Sequence, residues 1–123
     1  MARVTGIGGV FFRSPDRDAT VAWYRDHLGI EPEPDFPCAV LRSGGGETLV
    51  WSPFPADTDY FGDRGQELMV NYRVDDLPGL LEQLRAEGVE IAGGIEHLSN
   101  GDFAWVIDGD GRRVELWQPA PGN

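Results

Sequence analysis

The sequence has little cysteine, little positive charge and no long apolar run, and each shortage excludes a class of protein. A single cysteine, Cys38, permits no intrachain disulfide and no cysteine-based metal cluster. No apolar stretch approaches the roughly 20 residues that a membrane-spanning helix needs. The first residues also lack the apolar core of a signal peptide. We therefore predict a cytoplasmic protein.

The scarcity of basic residues excludes two kinds of partner. Ten Lys and Arg residues stand against 21 Asp and Glu residues, which gives a formal net charge of -11. Binding to nucleic acid needs a basic face that displaces counterions, and binding to an anionic membrane surface needs basic clusters. We predict neither partner. The acidity is compatible with attraction of a cationic ligand, and equally with a role in solubility alone.

What is present indicates one domain with two helices. The chain has 123 residues, 41% of them hydrophobic and 25% charged, which suffices for a single domain with its own core. One helix is predicted from the cap Ser14 to Gly29, and a second from Asp76 to Gly88 with a leucine stripe at helical spacing. The predicted strands are Val4–Arg13, Cys38–Arg42, Glu47–Ser52, Leu68–Val74, Val89–Ala92, Phe103–Ile107 and Arg113–Trp117.

The two halves of the chain repeat one another. Val10–Arg13 matches Val70–Arg73 at an offset of 60 residues, and an aspartate precedes each helix at the same offset. Trp51 matches Trp117 at an offset of 66. Self-similarity of this kind indicates two copies of one supersecondary unit. We predict one α+β domain over residues 1–123, with one βαβββ module over about 1–60 and another over about 66–119. The modules form a curved mixed sheet around a cleft, with helices on the outer face.

Alternation along the strands predicts which side chains line the cleft. Small-molecule sites are mostly apolar with a few placed polar groups, and this cleft has that character. The loop at residues 53–66 adds aromatic side chains, including Phe61, that either pack down as a lid or cover an apolar patch. The candidate ligand-binding residues are Phe11, Arg13, Trp51, Phe54, Tyr60, Met69, Asn71, Arg73, Glu115 and Trp117, with Arg113 also facing inward.

Five segments carry a family resemblance. Gly6–Phe12, Trp23–Gly29 and Asp108–Trp117 together resemble the vicinal oxygen chelate superfamily. Trp51–Phe61 and Met69–Asp76 together resemble a bacterial branch of it. That superfamily includes glyoxalase I, bleomycin-resistance proteins and extradiol dioxygenases. The resemblance covers essentially the whole chain. It implies the two-module fold already predicted, and it also implies that the protein is a homodimer.

The resemblance also implies where a metal would bind. Enzymes of this superfamily hold a divalent metal in the cleft with His and Glu at four strand positions, which fall here on Gly9, Leu49, Met69 and Glu115. Glycine and leucine offer no ligand, and a thioether suits soft Cu(I). One carboxylate does not replace the three or so protein ligands of a catalytic site. We therefore predict no metal and no other cofactor.

Three functions remain open from the sequence. The favoured interpretation is a non-catalytic protein that binds an aromatic or cationic small molecule, as in the bleomycin-resistance branch. The alternative is an enzyme of the lyase, isomerase or dioxygenase type that uses Glu115 as a base or metal ligand. A third possibility is a structural or regulatory subunit whose cleft is filled by its own side chains. No catalytic residue is assigned beyond the candidate Glu115.

Overall fold

The computed structural model describes residues 2–42, 44–62 and 65–123, which form one curled mixed sheet with two helices on one face. Neither helix in this part of the chain is long and apolar enough to cross a membrane. The elements are β1 (Val4–Ser14), α1 (Arg17–Leu28), β2 (Ala39–Arg42), β3 (Thr48–Pro55), β4 (Leu68–Val74), α2 (Leu77–Ala86), β5 (Glu96–Leu98), β6 (Gly101–Ile107) and β7 (Arg113–Pro119).

The order of the strands reflects the internal repeat. The sheet runs β2-β3-β1-β4-β7-β6-β5, so the opening strand of each half lies at the centre. In each half this strand pairs in parallel with the last strand of its half, and β1 joins β4 in antiparallel fashion. The predicted two-module sheet with outer helices is confirmed. The first half differs in detail, since its described residues contribute three strands and the second half contributes four.

Helix α1 begins two residues later than the sequence predicts. Asp16 is the cap, because its side chain accepts a hydrogen bond from the backbone N–H of Ala19. Ser14 instead closes β1, and its hydroxyl contacts that of Thr20 at 2.8 Å. The predicted end at Gly29 is confirmed. This residue has a φ of 69°, in the left-handed region that favours glycine.

Helix α2 supplies the larger part of the outer core. Asp76 caps it by accepting from the N–H of Gly79 at 3.1 Å. The predicted stripe is confirmed, since Leu77, Leu80 and Leu81 are all buried against strands of the second half. Complete burial of a leucine side chain contributes roughly 1.5–3 kcal/mol. This stripe therefore fixes the helix on the outer face of the sheet.

The chain after α2 differs from the predicted strand at Val89–Ala92. Only one isolated bridge forms there, between Ile91 and Val106. Gly93 follows with a φ of 102°, and the chain turns before pairing resumes in β5. His97 lies in this short exposed edge strand. The hairpin turn that joins the predicted strands Cys38–Arg42 and Glu47–Ser52 includes Ser43, which lies outside the described residues.

The register of the strands changes which residues of the two halves are equivalent in the closing strands. Phe11 pairs with Ser52, and Asn71, its equivalent at an offset of 60, pairs with Glu115. The closing strands are therefore related by an offset of 63 (115 − 52), not 66. An odd difference of three residues moves a side chain to the other face of a sheet. The predicted inward position of Trp51 is accordingly wrong.

Trp51 packs on the helix-covered face. It is buried with Val21 of α1 and Ala39, and its ring centroid lies 4.8 Å from that of Tyr24. Leu49 lies two residues earlier on the same strand and therefore shares this face. The alternate residues of β3 form its inner face. Of these, Val50 and Phe54 pack against the inner core.

A close approach at Gly8 brings the central strands together. The pairing of β1 with β4 is irregular between Ile7 and Gly9. A Cβ atom added to Gly8 would collide with Oδ1 of Asn71 and would lie 2.8 Å from Cε3 of Trp117. Both neighbours are buried. Glycine at this position therefore permits two inward side chains to pack directly on the backbone of β1.

We predict that Gly8→Ala destabilises the fold by about 1–3 kcal/mol, because the added methyl group overpacks a closed site. The measurement is urea denaturation of both proteins. Gly109→Ala is the matched control, since a Cβ atom there meets nothing within 4 Å. Equal stability of the Gly8 variant and the control would show that this contact relaxes without cost.

Candidate functional site

The centre of the inner face is the carboxyl group of Glu115. Its residue is 2% exposed and pairs in register with Asn71. The hydroxyl of Tyr60 and the indole N–H of Trp105 both donate to Oε2, the latter at 3.0 Å. The side-chain amide of Asn71 donates to Oε1 at 2.5 Å. Three donors from three segments thus converge on one buried carboxyl group.

Two opposing effects act on the pKa of this carboxyl group. Burial raises the pKa of Glu115, because a charged carboxylate loses its hydration. The three hydrogen bonds and the charge of Arg113 lower that pKa, but burial prevails. Burial also raises the pKa of Tyr60, and the neighbouring Glu115 adds to the rise. The phenol therefore remains protonated and acts as a donor.

Arg13 positions the segment that covers this site. Its guanidinium donates to the carbonyl groups of Ala56 and Thr58 at 2.9 and 2.7 Å, and its Nε donates to that of Gln66 at 2.8 Å. It also lies 5.2 Å from the ring centroid of Phe61. Arg13 was predicted to contact a ligand. In the structure it fastens residues 56–62, which we name the Tyr60 segment, to the sheet.

The aromatic side chains near the Tyr60 segment pack down onto the inner face. Phe61 is 0% exposed, and the rings of Phe54 and Tyr60 stack with centroids 5.3 Å apart. Phe61 belongs to one buried cluster with Phe11, Met69 and Trp105. The space above Glu115 is therefore filled by the protein's own side chains. Of the loop at residues 53–66, Asp63 and Arg64 lie outside the described residues.

Arg73 and Trp117 form a second group further along the inner face. The guanidinium lies 4.9 Å from the centroid of the indole ring and donates to the carbonyl group of Thr48 at 2.9 Å. The ring of Trp117 stacks on Phe103, with centroids 5.9 Å apart. A cavity of about 300 Å³ opens beside Trp117 and is also lined by Val50. This group is adjacent to the Glu115 site, and its two side chains are buried.

The structure thus separates the predicted ligand-binding residues. It brings Phe11, Phe54, Tyr60, Met69, Asn71 and Glu115 together around one carboxyl group. Arg73 and Trp117 form the neighbouring group, Arg13 holds the Tyr60 segment, and Trp51 lies on the opposite face. Sequence reasoning missed Trp105. The alternation of Phe103 and Trp105 along a predicted strand was the available signal, but the first half has no matching tryptophan.

Two buried polar atoms beside Glu115 lack hydrogen-bond partners within the described ranges. One is Oδ1 of Asn71, on a residue that is only 2% exposed. The other is Nε of Arg113, whose guanidinium lies 5.7 Å from the ring centroid of Trp105. Buried polar atoms normally have partners, so each unpaired atom indicates a missing interaction.

The residues at the four implied metal positions do not fit a metal. Gly9 has no ligand atom, Leu49 lies on the helix-covered face, and Met69 is packed in the aromatic cluster. Ser52 is the register counterpart of Glu115. Both oxygens of Glu115 already accept hydrogen bonds. The described part of the chain holds no group of three or more His, Cys, Asp or Glu residues arranged to bind a metal.

Comparison with protein families gives one extensive match. The model described as "Glyoxalase/Bleomycin resistance protein/Dioxygenase superfamily" matches residues 6–116. A search among curated protein sequences finds no match.

Solved structures provide further relatives. Methylmalonyl-CoA epimerase from Mycobacterium tuberculosis is 26% identical, with a TM-score of 0.68 over 96% of this chain and 90% of the epimerase. A Streptomyces coelicolor methylmalonyl-CoA epimerase variant in complex with 2-nitronate-propionyl-CoA is 19% identical, with a TM-score of 0.72 over 96% and 99% of the two chains. A Vibrio splendidus superfamily member is 18% identical, with a TM-score of 0.60 over 96% and 99%.

We predict that Glu115→Gln becomes progressively more stable relative to wild type as the pH rises from 4 to 8. Because the folded-state pKa of Glu115 is raised, the folded protein binds this proton more tightly than the unfolded chain. The wild type therefore loses stability as the pH rises above the ordinary value of 4.5. Gln carries no such proton. Urea denaturation at several pH values measures the difference.

The matched control for this experiment is Glu82→Gln, which changes the same charge at an exposed position of α2. The relevant quantity is how the stability difference from wild type depends on pH. If the two variants show the same dependence, burial is not what sets the pKa of Glu115.

Proposed function

Because the chain belongs to the glyoxalase/bleomycin resistance protein/dioxygenase superfamily, we propose that it is an isomerase-type enzyme of that superfamily. Glu115 would move a proton at a carbon atom next to a carbonyl group, without a metal. One observation carries this proposal: a single carboxyl group is buried and has a raised pKa, and three hydrogen-bond donors surround it. Perturbed carboxyl groups of this kind are typical of general acid–base sites.

The relatives support an enzyme over the non-catalytic binding protein that the sequence favoured. The relative at 26% identity is named an epimerase, and a second epimerase is solved with a coenzyme A thioester analogue. We accordingly propose acyl thioesters as the first substrate class to test. The homodimer and the cytoplasmic location predicted from the sequence remain part of the proposal.

The chemistry follows from the contacts of Glu115. Its carboxylate takes a proton from the carbon atom, and the electron pair of the broken C–H bond moves to the carbonyl oxygen. Donors aimed at that oxygen stabilise the developing charge, and here Tyr60 and Trp105 are candidates. The planar enolate then turns over in the site, and Glu115 returns the proton to the opposite face of the same carbon atom, which inverts its configuration. No other reactant is required, because the electron pair stays within the substrate and the proton returns to it.

The side-chain amide of Asn71 can form a hydrogen bond with Glu115 in either protonation state. Its amide N–H donates to Oε1 while Glu115 is a carboxylate. After rotation of the amide by half a turn, the unpaired Oδ1 accepts a hydrogen bond from the protonated acid. The unpaired oxygen thereby has a role. It is the acceptor that the site needs once Glu115 carries the substrate's proton.

Catalysis requires the Tyr60 segment to open, because Glu115 and Asn71 are each 2% exposed. The substrate would displace the hydroxyl of Tyr60 from Oε2 and then receive a hydrogen bond from it. Closure over the substrate would exclude water and strengthen every polar contact inside. The carbonyl contacts of Arg13 define where this segment is held when it is closed.

One observation favours a second candidate function. The inner face above Glu115 is filled by Phe54, Tyr60 and Phe61, as expected of a structural or regulatory subunit. In that case the hydrogen bonds around Glu115 serve only to satisfy a buried carboxyl group. The two candidates differ in one property: only the enzyme exchanges a carbon-bound proton with solvent.

The test is solvent exchange with methylmalonyl-CoA and propionyl-CoA in D₂O, followed by nuclear magnetic resonance. We expect the chelator-treated wild type to introduce deuterium at the carbon atom next to the thioester. We expect Glu115→Gln to slow exchange by about 10²–10⁴-fold, because it removes the base. The exposed variant Glu82→Gln is expected to exchange at the wild-type rate.

Three results would count against the enzyme. Absence of exchange by the wild type favours the structural candidate. Undiminished exchange by Glu115→Gln assigns the chemistry to another group. Loss of exchange on chelation, with recovery on adding a divalent metal, overturns the metal-free mechanism. Circular dichroism of each variant separates loss of the base from loss of the fold.

A further inference from the structure

Arg113 lies near Glu115, whose pKa its charge lowers, but it forms no direct ion pair with any residue that the structure describes. It lies two residues before Glu115 on β7, so both side chains point to the inner face. The protein carries a net charge of -11, yet among the residues that the structure describes Arg113 forms no ion pair. By contrast, the adjacent Arg112 pairs with Asp110 at 2.9 Å and with Asp108 at 3.4 Å.

The surroundings of Arg113 hold its guanidinium in one place. One side lies over the indole ring of Trp105, and the same indole donates its N–H to Glu115. Gly62 also lies close to this side chain, since a Cβ atom added to Gly62 would lie 3.3 Å from Cδ of Arg113. The backbone N–H and carbonyl of Arg113 both bond to the side chain of Gln66, at 2.8 Å each.

The unpaired atom identifies which edge of the guanidinium lacks a ligand. Nε is buried and has no hydrogen-bond partner within the described residues. Nε and one terminal nitrogen form an edge that suits the two oxygens of a carboxylate. The residue as a whole is only partly buried, so part of it is accessible to solvent. The proposal requires an anionic group to reach the buried edge from that accessible part.

We propose that Arg113 anchors a carboxylate of the substrate, so that the enzyme acts on an acid whose anionic group lies near the reacting carbon. This inference rests on the proposed function, because it gives Glu115 its substrate class. Trp105 couples the two parts of the site. Its ring face supports the anchor, and its N–H contacts the base. A carboxylate held at Arg113 would place the adjacent carbon atoms beside Glu115.

The test compares probes that share one shape and differ in charge. Isothermal calorimetry measures binding of phenylacetate and of its neutral amide, phenylacetamide, to the wild type. We expect phenylacetate to bind at least tenfold more tightly. Arg113→Gln should reduce that ratio to about one, because the amide side chain offers no charge. Arg113→Lys should give an intermediate ratio, since it keeps the charge and loses the two-nitrogen edge.

Arg112→Gln is the matched control, because it removes the same charge from the neighbouring exposed residue. It is expected to retain the wild-type ratio. Equal binding of the two probes by wild type, failure of both to bind at 10 mM, or a ratio that survives Arg113→Gln would each overturn the proposal. Benzylphosphonate is a third probe. If it binds tenfold more tightly than phenylacetate, the anchor is for phosphate and the carboxylate assignment is wrong.

The binding ratio is also measured in Glu115→Gln, which distinguishes this proposal from the proposed function. We expect that variant to keep the preference for phenylacetate while it loses proton exchange. Proton exchange that survives Glu115→Gln would refute the base and leave the anchor standing. If folded Arg113→Gln loses the preference for phenylacetate, and Glu115 is still required for proton exchange, the results support both the anchor and the base.

Discussion

The hydrogen bond from Tyr60 to Glu115 joins the two halves of this protein on the inner face of the sheet. Tyr60 follows the last strand of the first half, and Glu115 lies in the last strand of the second. The bond satisfies an otherwise costly buried carboxyl group, and it also fixes the Tyr60 segment over the inner face. Arg13 holds the same segment from β1 through two of its carbonyl groups. Removal of either contact would expose the aromatic cluster beneath.

Local signals made most of the fold predictable. Each helix follows an aspartate cap, and α2 carries a leucine stripe at helical spacing, so both helices and their outer faces could be read from residues close in sequence. The repeat at an offset of 60 correctly related β1 to β4. The closing strands were misaligned because a tryptophan match at an offset of 66 outweighed the register, which only the pairing of distant strands determines.

The candidate site was predictable in its residues but not in its contacts. Alternation placed Asn71 and Glu115 on one face, and the family resemblance singled out Glu115 as the one carboxylate at the implied metal positions. No sequence pattern indicated that Tyr60 and Trp105 would both donate to it, since those contacts span 55 and 10 residues. Arg13 was assigned to a ligand for the same reason. An inward arginine has the same sequence pattern whether its partner is a ligand or a loop carbonyl.

The side chains of the inner face set the pKa of the glutamate that occupies one of the implied metal positions. Where the superfamily's enzymes place ligands, this chain has Gly9 and the packed Met69, and the space between halves is filled by aromatic rings. Glu115 occupies one of the other implied positions, and burial raises its pKa. A carboxyl group with a raised pKa holds a proton more readily at neutral pH, and a base that must carry and return a substrate proton needs this property. The proposed proton transfer would thus use a glutamate that occupies one of the implied metal positions and whose pKa is raised by burial.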